Sequence, residues 1–147
     1  MGSINQFIKG VLNNYQSIAL FFARLLVAYG FFEPAMNKWK DIESVGSWFG
    51  TLGIPMPLFS AYMSASVEIL GVFLLTLGLL TRFISFPMMI IMVVAILTVH
   101  LPNGFESGNN GFEIPLYYLS FLLIFLTHGA GKISIDHLLE NEEKSPH

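Results

Sequence analysis

The chain contains no cysteine. Disulfides, thiolate metal centres, cysteine-ligated iron–sulfur clusters and thiol relays are therefore excluded within it. Charge is scarce too: 12% of the residues are Asp, Glu, Lys or Arg, about half the share of a soluble domain. The seven Lys and Arg are scattered and the net charge is −3, so there is no basic patch and nucleic acid is not an expected partner. Also missing is any polar stretch long enough to form a separate soluble domain.

What is present is apolar length. Hydrophobic residues make up 54% of the sequence, and runs of about 18 or more are needed to cross a ~30 Å hydrocarbon core. Four such runs occur, at roughly 17–39, 58–80, 83–101 and 114–131. The expected fold is all-α, a single domain over 1–147 forming an integral membrane four-helix bundle with short interfacial helices, and the lipid bilayer is its first partner. The first run is too long for a cleaved signal peptide, and no small-x-small site follows before Trp39.

Shorter signals fill the gaps. Ile4, Phe7, Ile8, Val11 and Leu12 form one helical stripe, which predicts a short helix over 3–14 in the membrane interface. Pro34 predicts a kink in the first span. Ile42, Val45, Phe49 and Leu52, beside Trp48, predict a second interfacial helix, followed by the stiff connector Gly53–Pro57. Gly78–Arg82 reads as a tight hairpin, Asn103–Glu113 as a glycine-rich loop, and Ser134 as the N-cap of a tail helix. Lys9, Arg82, Lys132 and Lys144 fall on one side against Lys38 and Lys40 on the other, so both termini are expected in the cytoplasm.

Against this background four ionisable residues stand out: Arg24, Glu33, Glu68 and His100 lie in apolar segments. A charge at mid-bilayer costs about 2.5–3.5 kcal/mol on insertion scales and must be paired, hydrated or used. Glu68 shares a helical face with the small residues Ala61, Ala65, Gly71 and Gly78, so it is expected to point inward at a close helix contact. Arg24 and Glu68 differ in depth by only ~5 Å when counted from their helix ends. They form either a structural ion pair or a proton or cofactor site. His100, Glu33, Glu106 and Glu113 form a second candidate cluster, with Glu113 placed to orient the His100 imidazole and His100 to exchange protons with a reduced ligand. No spacing matches a metal signature, so no metal ligands are assigned. Met36, Met56, Met63, Met88, Met89 and Met92 are soft thioethers that suit Cu(I), but methionine is also an ordinary gap filler, and packing is the preferred reading.

Several ordered motifs resemble one family. Arg24 in FARLLVAYGFF, Lys38 in NKW, Gly53-Ile54-Pro55, Glu68-x-x-Gly71, Gly78-Leu79-x-Thr81-Arg82, Thr98-x-His100, Gly111-x-Glu113 and Gly129-x-Gly131-Lys132-x-Ser134-x-Asp136 look like the DoxX family of small bacterial membrane proteins. Within it the chain looks closest to the HvfX-type branch found beside genes for maturation of copper-binding peptides. The resemblance implies a bacterial inner-membrane protein linked to redox or oxidative-stress chemistry, since founding members are subunits of a thiosulfate:quinone oxidoreductase. Many relatives carry a histidine where Glu33 stands here, so any role of that histidine is in doubt in this chain.

Two functions follow as expectations. The first is a quinone-associated oxidoreductase subunit in which Arg24, Glu68 and His100 bind the quinone and His100, Glu113 and Glu33 serve its protons. A protein redox partner is then required, because the chain carries no redox-active cluster. The second is a non-enzymatic accessory or transport protein in maturation or export of a copper-binding peptide. Substrate and oligomeric state are not readable from the sequence.

Overall fold

A computed structural model describes residues 2–144. Six α-helices account for most of them: α1 (Gly2–Lys40), α2 (Ile42–Thr51), α3 (Pro57–Leu77), α4 (Thr81–Ala95), α5 (Glu113–His128) and α6 (Ile135–Glu143). Among the described residues there is no strand. α4 continues through a π-helical turn, Ile96–His100, and a 3₁₀ turn, Leu101–Asn103.

Three helical segments have the length and composition to cross a membrane: Ile4–Lys40, Pro57–Leu77 and Thr81–Asn103. α5 lies near the expected fourth span, but it is a 16-residue helix, ~24 Å long, and falls short of the hydrocarbon thickness. Its C-terminal end is set by Gly129 and Gly131, both at positive φ, which stop the helix before 131. The outward faces of these helices are apolar: Phe22 is 63% exposed, Phe73 63% and Phe83 78%. Such a surface suits lipid as its solvent.

One expectation for the first segment needs correction. Residues 3–14 are not a separate interfacial helix, because α1 runs unbroken from Gly2 to Lys40. Its 39 residues would measure ~58 Å, about twice the hydrocarbon core. No proline interrupts residues 3–17 and the helix runs through Gly10, so the stripe from Ile4 to Leu12 extends the span and remains exposed. Pro34 also lies inside the helix and does not end it.

The helices alternate in direction. Arg24 of α1 meets Leu75 of α3 while Lys38 meets Glu68, so α1 and α3 are antiparallel. The turn at Gly78–Leu80 reverses the chain into α4, with Gly78 and Leu80 in left-handed conformation. Gly71 makes the closest α3–α4 approach, since a Cβ there would sit 2.4 Å from the Met88 sulfur. Ala61, Ala65, Glu68, Gly71 and Leu75 are the buried positions of α3, the small-residue face expected from the sequence. Val27, Phe31, Met88, Leu122 and Phe125 fill the core between α1, α4 and α5.

One end of the bundle, here called the base, joins α1 near Ser17–Arg24 to the 78–82 turn and the segment 129–137. The Asp136 carboxylate accepts from the Leu80 and Thr81 amides at 2.7 and 3.0 Å, capping the start of α4, and the Asp136 amide donates to the Gly78 carbonyl. Ser134 caps α6 by accepting from the His137 amide, as its sequence position predicts. The other end, the crown, carries α2, the Gly53–Met56 connector and the 101–112 loop.

Candidate functional site: a crown cavity with a buried ion pair

A cavity of about 970 Å³ opens in the crown half of the bundle between α1, α3, α4 and α5, roofed by α2 and its connector. Its walls are mostly apolar, including Phe31, Phe49, Ile54, Val67, Ile91, Met92 and Ile114. The size lies at the upper end of the range for small-molecule sites, and the character is typical: apolar walls with few polar groups. Four prolines stand on the wall, and two of them, Pro34 of α1 and Pro87 of α4, lie inside helices. Each of these two lacks an N–H, which frees the carbonyl four residues earlier from its helix. Gly30 also lines the cavity, and the Tyr118 phenol occupies the space a side chain there would need.

Besides the Tyr118 phenol, three ionisable side chains line the cavity: Lys38, Glu68 and His100. The Lys38 ammonium donates to Glu68 Oε1 at 2.6 Å. Glu68 is 2% exposed and its second oxygen, Oε2, has no hydrogen-bond partner among the described residues. Lys38 keeps 20% of its side chain accessible, so its remaining protons are on the open side of the pair. His100 ends the π turn, a feature that inserts one residue per turn and turns side chains off the regular helical register. Its Nδ1 lies 2.9 Å from the Asn110 carbonyl. A carbonyl only accepts, so Nδ1 carries the proton and Nε2 of the neutral ring is an acceptor.

The structure separates residues that sequence reasoning had grouped. Arg24 and Glu68 are not a pair. Arg24 is fully buried at the base, where Nη1 donates to the Leu75 carbonyl at 2.7 Å and Nη2 to the Ile133 carbonyl. The depth count failed because it took α1 and α3 to end at one level. Trp39 packs on Tyr62, so α3 begins beyond the end of α1, and Lys38 reaches down to Glu68 along its flexible stem. Arg24 does not line the cavity, and neither do Glu33 or Glu113.

Glu33 is exposed on α1. Glu113 does not orient His100: its carboxylate accepts from the Ser107 amide and the Tyr117 hydroxyl, each at 3.0 Å. The Ser107 amide bond, followed by the Tyr117 hydroxyl, holds the Glu113 carboxyl below the usual carboxylate range. Glu113 is thus the clamp of the glycine-rich loop. Gly111 seals that loop, because a Cβ there would meet the backbone of Gly104, Phe105 and Glu106. Lys38 is the cavity residue that sequence reasoning missed as a partner of Glu68. The signal was available: Arg24 and Lys38 are 14 residues apart, close to four helical turns, and so share one face of α1.

The methionines divide in a similar way. Met88 and Met92 are buried in the core, whereas Met36, Met56 and Met63 are exposed. Among the described residues, no group of three or more His, Asp or Glu is placed to hold a metal ion.

Comparison with known proteins adds the ancestry of this arrangement. A family model, DoxX, matches residues 19–101. The chain belongs to the DoxX family. The matched segment runs from α1 to the end of the π turn and contains Lys38, Glu68 and His100, whereas Glu113 and Tyr118 lie beyond it. Among similar proteins are an uncharacterized Haemophilus influenzae protein, 33% identical over 84% of both chains, and a Bacillus subtilis protein named "Putative oxidoreductase CatD", 30% identical over 91% of this chain and 96% of the relative. An uncharacterized membrane protein of Mycobacterium tuberculosis is 35% identical over 79% of this chain and 78% of its own. No solved structure matches. The protein is accordingly a DoxX-family membrane protein whose shared segment holds an apolar cavity with a buried ion pair.

Proposed function

We propose that this DoxX-family protein is the ring-binding subunit of an inner-membrane oxidoreductase, and that the crown cavity holds a quinone-type carrier. The observation that carries this reading is a cavity of about 970 Å³ with apolar walls and a Lys38–Glu68 pair set into one of them. A membrane-soluble ring with a hydrocarbon tail matches such walls, and the orphaned Glu68 Oε2 supplies a polar contact that a purely apolar lipid could not use. The name of the Bacillus subtilis relative points to redox chemistry.

A quinone supplies two-electron, two-proton redox chemistry when bound. The chain's own residues bind and orient the ring and handle protons. Lys38 has protons left to donate to a ring oxygen, Glu68 Oε2 accepts, and His100 Nε2 accepts at the crown. Electrons come from a partner protein, because the chain has no cysteine or other redox cluster. Both termini are cytoplasmic in this reading, which places the cavity in the outer half of the membrane. The accessory role in copper-peptide maturation makes the opposite forecast, a protein that carries no ring.

Mass spectrometry of the lipid extract of protein purified in mild detergent tests the proposal. The wild type should retain a quinone-type lipid near one per chain, and Ser64→Trp, which fills the cavity from α3, should lose it at equal yield. Equal retention by both proteins, or none by the wild type, refutes the assignment.

A further inference from the structure

Glu68 carries more information than the presence of a polar wall. It is almost fully buried, and its two oxygens are in different situations. Glu68 lines the cavity; its Oε1 is engaged by the Lys38 ammonium at 2.6 Å, and its buried Oε2 has no donor among the described residues. An ionised carboxylate can only accept hydrogen bonds. The second charged group of the pair is a lysine whose other protons face the open side. A ring carbonyl has donors in Lys38 and the Tyr118 hydroxyl, but it would leave Oε2 unmatched. A ring hydroxyl satisfies Oε2.

We infer that the crown cavity selects the hydroxyl-bearing form of its ring over the form with only carbonyl or ether oxygens, and that Glu68 is the specificity-determining residue. This rests on the proposed ring-binding role of the cavity. His100 strengthens the same preference, because its proton is committed to the Asn110 carbonyl and Nε2 is left as a second acceptor. The polar groups that would meet a ligand at Glu68 and His100 are thus acceptors, an arrangement that favours a donor. A buried acceptor left without a donor costs a ligand roughly ten- to a hundredfold in affinity. In a redox protein this preference places the reduced, dihydroxy ring as the tighter ligand.

The test uses a redox-inert pair with identical tails, 4-decyloxyphenol and its methyl ether, and the full chain in lipid nanodiscs. Affinities are read from quenching of Trp48, which lines the cavity, and corrected for partitioning into protein-free discs. The phenol should bind ten- to a hundredfold more tightly than the ether. The double variant Lys38→Met/Glu68→Leu removes both charges together, so neither is left buried and alone. It should bind both probes with less than a threefold difference, at wild-type helical content and elution volume. Equal binding of the two probes to the wild type overturns the selectivity and leaves the ring-binding role standing. Tighter binding of the ether also overturns it, since Glu68 would then be a donor. Undiminished phenol preference in the double variant removes Glu68 from the role. No binding of either probe overturns the ring-binding reading itself.

Discussion

Removing Arg24 tests whether the base of the bundle is a staple separate from the cavity. Arg24 is fully buried, and its two terminal nitrogens donate to carbonyls on different elements, Leu75 at the end of α3 and Ile133 just before α6. Hydrogen bonds from a charged donor contribute about 1.5–3 kcal/mol each. The Leu75 carbonyl also accepts from the Gly78 amide at 3.3 Å, so its loss belongs at the low end. The Phe21 ring lies 5.7 Å from the guanidinium carbon and adds a cation–π contribution of about 0.5–1 kcal/mol. Against these stands the desolvation of the arginine, which its removal returns in part. The net loss for Arg24→Leu is about 2–4 kcal/mol. Unfolding in mixed micelles of increasing SDS content, followed by circular dichroism, measures it. Limited proteolysis should show faster cleavage after Lys132 in the variant, because α6 loses one of its ties. Arg24→Lys should recover only part of the loss, since one ammonium cannot keep the forked geometry that spans both carbonyls. An unchanged unfolding midpoint together with an equally protected tail would refute the staple. Lipid retention at matched abundance should be unaffected, because Arg24 does not line the cavity.

Two further predictions concern the crown. The Glu113 carboxyl is held below its usual value near 4.5 by the Ser107 amide, so the clamp on the 103–113 loop is intact above that pH and is lost as pH falls through the lowered value. Amide exchange of the loop should therefore accelerate as pH falls below the usual carboxylate value, while Glu113→Gln should show weaker protection that hardly changes with pH; a wild-type loop insensitive to acid contradicts the clamp. For the topology, single cysteines at Asn5, Ser107 and Asn141 can be labelled in whole cells, because the chain has no cysteine of its own. Only position 107 should react with an impermeant maleimide, and the reverse pattern moves the cavity to the cytoplasmic half.

How much of this was legible beforehand depends on the range of the interactions involved. Helices α3 and α4 announce themselves through uninterrupted apolar length, and the turn between them through Gly78 and the residues that follow. Capping by Ser134 was readable because it is an interaction over three residues. The small face of α3 was readable because periodicity alone places Ala61, Ala65, Glu68 and Gly71 together. The unbroken α1 was not, since the polar Asn13 and Asn14 look like a boundary, yet the helix runs through them with both residues exposed. The length of α5 was overestimated because Gly129-Ala130-Gly131 counts as apolar on a hydropathy scale but breaks the helix through positive φ.

The site shows the same division in a sharper form. That Glu68 would be buried followed from its helix face, whereas its partner depended on how far α3 rises beyond α1, an offset no residue in either helix encodes alone. Two cations on one face of α1 thus acquire different tasks through the register of a neighbouring helix. Arg24, level with the end of α3, meets the Leu75 carbonyl, which has only a long bond from the Gly78 amide, and the Ile133 carbonyl just before α6, and a guanidinium that can fork is suited to joining two such elements. Lys38, level with the upper half of α3, meets a carboxylate beside an apolar space, and a single flexible ammonium leaves the second oxygen of that carboxylate free. An arginine at position 38 could engage both oxygens at once and close the site. Lysine at the crown and arginine at the base are therefore not interchangeable: the arginine completes its partners, and the lysine leaves one carboxylate oxygen unmatched.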